Sequence, residues 1–265
     1  MEPRDFQKAI EGLPFERAEA FERVGSTNDV MAEWARAGEK GLCLAFAEEQ
    51  TRGRGRSGRR WFTPPRSALA FSLLLDLNTS SQATLGKLSG LGALAVCQGL
   101  ENLYGLAPKI KWPNDVLLDG KKVCGVLAEA HWSGERIQAL ILGIGINVAR
   151  SAVPPAEQLD FPAASLEELL SVSVDRAGLL RQVLERVICW IGRLDDKEFI
   201  KSWQERMAFM DDSVRLERRG AAPTSGIIKG LRDDGSLKMD VDGTLQFFQA
   251  GEIHLRPHQI DMETN

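Results

Sequence analysis

No stretch of this chain approaches the ~20 consecutive apolar residues that a membrane-crossing helix requires. Its first ten residues, MEPRDFQKAI, intersperse charges among the apolar positions and lack the continuous apolar segment of a secretory leader. A membrane is therefore not expected as a partner. Cysteine is sparse: Cys43, Cys97, Cys124 and Cys189 stand singly, none at the two-residue spacing of a zinc or redox pair, and only three histidines are present. They are read as reduced, structural thiols, which points to a cytoplasmic setting. A basic excess is missing too. With 33 Lys+Arg against 37 Asp+Glu and a formal net charge of -4, the chain lacks the broad positive field with which a whole surface grips nucleic acid, so any cationic site must be local. Internal repeats are absent, and the one segment of biased composition is rich in Arg and Gly.

What remains is an ordinary folded composition, 43% hydrophobic and 26% charged over 265 residues, long enough for one substantial catalytic domain and a small appendage. Residues 15–40 read as a short strand and an amphipathic helix. Ser26-Thr27-Asn28-Asp29 offers capping side chains there, and Val30, Met31, Trp34 and Ala35 give apolar spacing on one face. CLAFAEE (43–49) and ALAFSLLLD (68–76) read as buried strands flanking a polar loop at 50–66, and residues 82–104 carry a long helical period ending near Gly105. KIKW (109–112) reads as a strand closed by Pro113, residues 116–130 as a hairpin turning at Asp119-Gly120, and QALILGIGINV (138–148) as a further buried strand. From Ser165 to about Met210 the spacing is helical, with Leu179, Leu180, Val183, Leu184, Val187, Ile188 and Ile191 on one face. After Asp211-Asp212 come short alternating strands, SVRLERR, SGIIKGLR, SLKMDV, TLQFF and EIHLR, separated by Gly and Asp turns. The expected division is residues 1–210 and a small β-barrel-like unit, 211–265.

Three segments carry chemistry. In Gln50-Thr51-Arg52-Gly53-Arg54-Gly55-Arg56-Ser57-Gly58-Arg59-Arg60-Trp61, glycines let backbone N–H groups approach an anion and guanidinium forks match phosphate or carboxylate. Such dense like charge should keep the loop mobile until an anion orders it. A solvated basic turn or a segment holding RNA backbone would look the same. Lys111-Trp112-Pro113-Asn114-Asp115, followed by Lys121-Lys122, gathers cations, an amide and a carboxylate at a strand end, suited to triphosphate oxygens and magnesium; a turn and an exposed hairpin edge are the bland reading. Gly143-Ile144-Gly145-Ile146-Asn147 leaves room for a ligand against the backbone, although a β-bulge would do the same.

Taken together, GSTND (25–29), EEQTRGRGRSGRRW (48–61), KWPNDVLLDGKKVCGVLAE (111–129) and GIGINV (143–148) resemble the biotin protein ligases, in the form without an N-terminal DNA-binding domain, in the family's order and at spacings it uses. The resemblance spans the catalytic domain and extends to the β-rich tail. It implies an α+β fold: a mixed-sheet catalytic domain of the class II synthetase-like type with flanking helices, then a small SH3-like β-barrel. It implies activation of biotin by ATP to biotinyl-5'-AMP and transfer to a lysine of a biotin carboxyl carrier domain of a carboxylase, with no sequence-specific DNA as partner and with a homodimer allowed.

By the same resemblance, the catalytic residues are Lys122, Arg56, Lys111 and Asp115. Biotin is held by Ser26, Thr27, Asn28, Gln50, Gly53, Arg54, Gly55, Arg56, Lys122 and Gly143, and ATP by Arg56, Arg59, Trp61, Lys111, Asn114 and Asn147. Magnesium is expected to arrive on the ATP phosphates without a dedicated side-chain set. Asp115 either helps deprotonate the acceptor amine or orients its neighbours. The competing readings are a lipoate or octanoate ligase or transferase, whose pocket would lack ureido partners, and an RNA-binding module using the Arg-Gly loop.

Overall fold

The computed structural model describes residues 1–75, 82–133, 136–218, 221–249 and 253–257. Asp76, Arg219 and Glu252, ends of three expected strands, and residues 258–265 of the expected small unit lie outside them. In chain order the elements are α1 (Pro3–Ile10), β1 (Arg17–Val24), α2 (Thr27–Arg36), β2 (Cys43–Gln50), β3 (Ala68–Leu75), α3 (Gln82–Tyr104), β4 (Lys109–Lys111), β5 (Asp115–Leu118), β6 (Lys121–Ser133) and β7 (Arg136–Asn147). There follow α4 (Leu166–Leu170), α5 (Arg176–Ile191), α6 (Lys197–Glu205), β8 (Ser213–Arg218), β9 (Ala221–Leu231), β10 (Leu237–Val241), β11 (Thr244–Phe248) and β12 (Ile253–Pro257).

The first seven strands form one mixed sheet in the order β1-β2-β3-β7-β6-β5-β4. Only β1 and β2 run parallel, because α2 carries the chain back between them; the remaining pairs are antiparallel. β3 is buried along its whole length and β2 over its first six residues, as their continuous apolar runs require when both faces are covered. On one face, Leu44, Phe46, Leu69, Phe71 and Leu73 join the large core that also holds α3 residues Leu88, Leu91, Leu94 and α5 residues Leu180, Val183 and Val187. On the other face α2 packs Met31, Ala32, Trp34 and Ala35 against Cys43, Ala45, Leu74, Ala139 and Ile141.

α1 is a helix that the sequence reading left unassigned; Pro3 opens it and Phe6 and Ala9 are its buried residues, packed beside α5. The expected helical region after Ser165 divides into α4, α5 and α6. α5 is capped by Asp175, whose carboxylate accepts the Ala177 and Gly178 N–H groups.

The last five strands form a separate antiparallel sheet, β11-β10-β9-β8-β12. β11 and β12 are its two edges, so the described strands make an open sheet and not the closed barrel expected from their pattern. Strand alternation specifies that one face is apolar, as in Val214, Leu216, Ile228, Leu237 and Met239, but not that the ends meet. This sheet is tied to the first unit by the Trp112 indole, which donates to Gly235 O (3.0 Å), and the segment leading into it is held by β4, where Ile110 N donates to Arg206 O (2.7 Å) and Ala208 N donates to Ile110 O (2.9 Å).

Candidate active site

One row of cross-strand partners runs the width of the large sheet: Phe21, Ala47, Ala70, Gly145, Gly125, Asp115 and Lys111 pair in succession. Directly opposed residues project to the same face, so small residues form a flat floor that ends in a carboxylate and an ammonium. A second row two residues along, Ala45, Ser72, Gly143 and Leu127, lies on that same face. α2 covers its β2–β3–β7 end and the Arg-Gly segment roofs the rest. The cleft between them has a volume of about 840 Å³, part of it open to solvent.

At the α2 end the lining is polar and uncharged. Ser26 is the N-cap residue of α2, yet its side chain makes no cap bond. The Gln50 side-chain oxygen takes that place, accepting the Thr27 N–H (2.8 Å) and the Thr27 hydroxyl (3.2 Å). Ser72 Oγ lies 2.7 Å from Thr27 Oγ1 and donates to Asn28 Oδ1 (2.5 Å). Gly143 is required here, because a Cβ on it would stand 2.2 Å from Asn28 Oδ1. Ser26, Thr27, Asn28 and Ser72 are all buried, a compact donor–acceptor set on rigid elements.

At the β5–β6 end the lining is ionic. Asp115 Oδ1 pairs with Lys122 Nζ at 2.6 Å and its Oδ2 with Lys111 Nζ at 3.6 Å. Burial pushes the Asp115 carboxyl up, but Lys122, Lys111 and Arg56 together outweigh it and hold the carboxyl below the usual range. Arg56 Nη1 donates to Asn114 Oδ1 (2.7 Å), while Asn114 Nδ2 donates to Val126 O (3.0 Å) and Asp115 Oδ1 (3.1 Å). Burial draws the Arg56 guanidinium down from its ordinary value, partly offset by Asp115. The cleft is lined by six cations, Arg54, Arg56, Arg59, Arg60, Lys111 and Lys122, and by one carboxylate, Asp115. Such a site draws in anionic groups and cancels charge that develops on them.

The Arg-Gly segment is more regular than its composition predicts. It folds as a narrow hairpin with bridges Gln50 to Thr63 and Arg54 to Arg60, Gly55 N donating to Arg59 O (2.8 Å) and Trp61 N to Gly53 O (2.9 Å). A single 3-10 turn, Arg56–Gly58, forms its tip. Two of its positive charges meet carboxylates within the protein: Arg54 pairs with Asp29 (2.9 Å) and Glu129 (2.8 Å), and Arg59 with Asp160 (3.2 Å). Trp61 turns its ring onto the floor, where a Cβ on Gly145 would come within 2.3 Å of the indole; Lys122 Nζ lies 5.7 Å from the ring centroid, and the buried indole Nε1 has no hydrogen-bond partner.

Of the residues singled out in the sequence, Ser26, Thr27, Asn28, Gln50, Arg54, Gly55, Arg56, Arg59, Trp61, Lys111, Asn114, Asp115, Lys122 and Gly143 line this one cleft. Gly53 and Asn147 are not among its lining residues. Gly53 lies within the hairpin opposite Trp61, where a Cβ would strike Trp61 O at 2.4 Å, and Asn147 is buried at the end of β7 with Nδ2 donating to Ala164 O (3.2 Å). The sequence reading missed Ser72, Arg60, Gly125 and Glu129. Gly125 interrupts the apolar run of β6 at residues 123–128, which was a usable signal; Ser72 had none, because its partners arrive from α2. Among the described residues no group of three or more His, Cys, Asp or Glu is arranged to hold a metal ion.

A family model described as the Biotin/lipoate A/B protein ligase family matches residues 20–147. The biotin--[acetyl-CoA-carboxylase] ligase of Mycobacterium tuberculosis is 32% identical over 254 residues, covering 92% of this chain and 91% of that protein. The enzyme of the same description from Paracoccus denitrificans is 34% identical over 240 residues, covering 87% of this chain and 97% of that protein. Among solved structures, a biotin protein ligase from Aquifex aeolicus in complex with biotin and ATP superposes with a TM-score of 0.79 at 30% identity, covering 92% of this chain and all of that one.

Proposed function

Because the chain belongs to the biotin protein ligases of the biotin/lipoate A/B protein ligase family, we propose a division of labour among its own residues for the ligase reaction. The enzyme activates biotin with ATP to biotinyl-5'-AMP and passes the biotinyl group to a protein lysine. Thr27, Asn28, Gln50 and Ser26, with Ser72 behind them, hold the ureido ring. Their hydroxyls and amides match its N–H and C=O groups, which an all-aliphatic acyl chain would leave unused. Gly55 and Arg56 close over the carboxylate and the phosphate, Gly53 and Arg54 hold the hairpin that carries them, and Gly143 gives the ring room against the backbone.

In the first half-reaction a biotin carboxylate oxygen attacks the α-phosphorus of ATP, the bond to the bridging oxygen breaks and pyrophosphate leaves. Two anions must approach one another, so charge cancellation is the main task. Lys122 stands between carboxylate and α-phosphate, Arg56 and Lys111 flank it, and Arg59 and Asn114 serve the remaining phosphates, with Trp61 beside the adenine; Asn147, buried with its amide on Ala164 O, supports the end of β7 from outside the cleft. Magnesium carried on the ATP phosphates would supply further neutralisation there. In the second half-reaction the neutral acceptor amine attacks the acyl carbon and AMP departs. Asp115 is read as the group that orients Lys111 and Lys122, since a carboxylate held ionised by three cations is a weak base.

The observation that carries this reading is the meeting of the uncharged polar set at Thr27, Asn28, Gln50 and Ser72 with the Lys111–Asp115–Lys122 cluster in one cleft. The acceptor is proposed to be a biotin carboxyl carrier domain and the setting the cytoplasm, with a homodimer allowed. The division of the chain is set at 210/211, with the open C-terminal sheet read as an SH3-like module. Biotin-dependent ATP–pyrophosphate exchange, followed by labelling of a carrier domain, tests the reading. Lys122→Ala is expected to lower exchange by roughly 10² to 10³-fold, the scale of one oriented charge-stabilising group. Exchange near the wild-type rate would refute the assignment.

A further inference from the structure

At the mouth of the cleft, beside the ring-binding end, three charged side chains from three different elements meet. Arg54 of the hairpin directs Nη1 to Asp29 Oδ1 (2.9 Å) in the first turn of α2 and Nη2 to Glu129 Oε2 (2.8 Å) on β6. The same Glu129 oxygen accepts the Asn28 Nδ2–H (2.6 Å). Asn28 is buried, whereas the side chains of Arg54 and Glu129 are 40% and 28% exposed. Glu129 therefore stands where solvent-facing charge and buried amide join.

Its position follows from the sheet. Glu129 pairs with Ile141 on β7, in the row next to that of Leu127 and Gly143, so it projects to the floor face at the edge of the ring-binding end. Strand β6 is thus rigid support for an acceptor that serves both the roof and the pocket wall. An ion pair of Arg54 and Glu129 alone would contribute little at that exposure. Sharing one oxygen with the buried Asn28 amide changes the weight, because loss of the carboxylate would free the hairpin and strand a buried N–H group at once.

The Asn28 amide can be held in only one of two orientations by its neighbours. With Nδ2 bound to Glu129, Oδ1 faces Ser72 Oγ and the Gly143 backbone. Ser72 in turn meets Thr27, whose partner is Gln50. A continuous run of hydrogen bonds therefore links Arg54 on the roof to every side chain of the polar end except Ser26.

We propose that Glu129 is a positioning residue that couples closure of the Arg-Gly hairpin to occupation of the ring pocket: through Asn28 it presents the pocket in binding-competent form, and through Arg54 it holds the roof over the acyl-adenylate. The proposal rests on the ligase reading of the cleft. Glu129 touches neither reacting atom, so its loss should weaken retention and biotin binding while leaving the chemical step in place, the pattern of ground-state and intermediate binding being lost together.

The test uses the full chain as wild type, Glu129→Gln, Arg54→Met and the double variant, with biotin, ATP and biotinyl-5'-AMP as probes. Glu129→Gln keeps the shape of the side chain and removes its charge; Arg54→Met lies at the surface and probes the same contact if the β6 variant folds poorly. The expected result for Glu129→Gln is release of preformed biotinyl-5'-AMP faster by about ten- to a hundredfold, the range for one hydrogen bond to a charged group. Biotin KM should rise in parallel, with kcat for adenylation unchanged at saturation. Arg54→Met should speed release without the full rise in biotin KM, and the double variant should release no faster than Glu129→Gln. Wild-type release in Glu129→Gln, or multiplying effects in the double variant, would overturn the coupling even if melting temperature falls. If the wild-type protein itself forms no adenylate from biotin and ATP, the ligase reading fails and this proposal falls with it.

Discussion

Trp61 lies close enough to β7 that residue 145 has no freedom in side-chain size. A methyl group added there would sit within 2.3 Å of the indole, and the sheet backbone beneath it is held by ladders on both sides. The ring, carried on the hairpin, would have to give way, at a cost typical of inserting one carbon into a packed contact, about 1 to 3 kcal/mol. Gly145→Ala is accordingly expected to raise the KM for ATP by about tenfold and to change the KM for biotin far less, as measured by pyrophosphate exchange with each substrate varied in turn. Most single residues of the site were legible because their chemistry is written into their type. Guanidinium groups among glycines and a Lys-Asn-Asp cluster at a strand end have few uses other than binding anions. Glu129 and Ser72 were not legible. Each acts through partners that are distant in the chain, Glu129 through Arg54 at a separation of 75 residues and Ser72 through Thr27 at 45.

At the scale of elements, β4 and β5 present Lys111, Asn114 and Asp115 only because both of their flanks are fixed. One flank is the sheet, and the other is the segment 206–208 together with the Gly235 turn that receives the Trp112 indole. Trp112 is 1% exposed. Replacing it by phenylalanine keeps an aromatic ring but leaves Gly235 O without that donor, an omission that costs about 1 to 3 kcal/mol in a buried setting. Trp112→Phe should therefore lower the unfolding free energy by that amount in urea denaturation. Strand and helix periods identified nearly every element, since β2, β3 and β7 had continuous apolar runs and the helical stripe of α5 was unambiguous. α1 escaped notice because its eight residues expose most of their surface and bury only Phe6 and Ala9. The hairpin at 50–63 was read as irregular because its order comes from backbone bridges, which leave no side-chain pattern.

Across the whole molecule, the thiols report how completely the two faces of the large sheet are covered. Cys43 lies under α2, Cys97 within α3 and Cys124 on β6, all buried, whereas Cys189 on α5 is exposed. Burial also pushes the Cys97 and Cys124 thiols well above their ordinary range, which removes the reactive thiolate. Titration of the native protein with DTNB should therefore count one thiol quickly, and four after denaturation; two or more fast thiols would mean that a face of the sheet opens readily. The order of strands within the sheets was beyond the sequence reading. Local patterns establish which face of a strand is buried, but β3 beside β7, or β8 beside β12, depends on pairing between distant segments, and the same limit explains why an open C-terminal sheet was expected to close.

The row of small residues that crosses the sheet also acts as a ruler. Neighbouring strands stand about 4.8 Å apart, so a molecule anchored by its head over β7 must reach across two strand spacings, roughly 10 Å, before its tail meets the lysines gathered about Asp115 of β5. Homologues one methylene shorter or longer would still lodge their heads in the uncharged niche, yet bring their carboxylates to rest short of Lys122 or beyond it, occupying the enzyme without being activated.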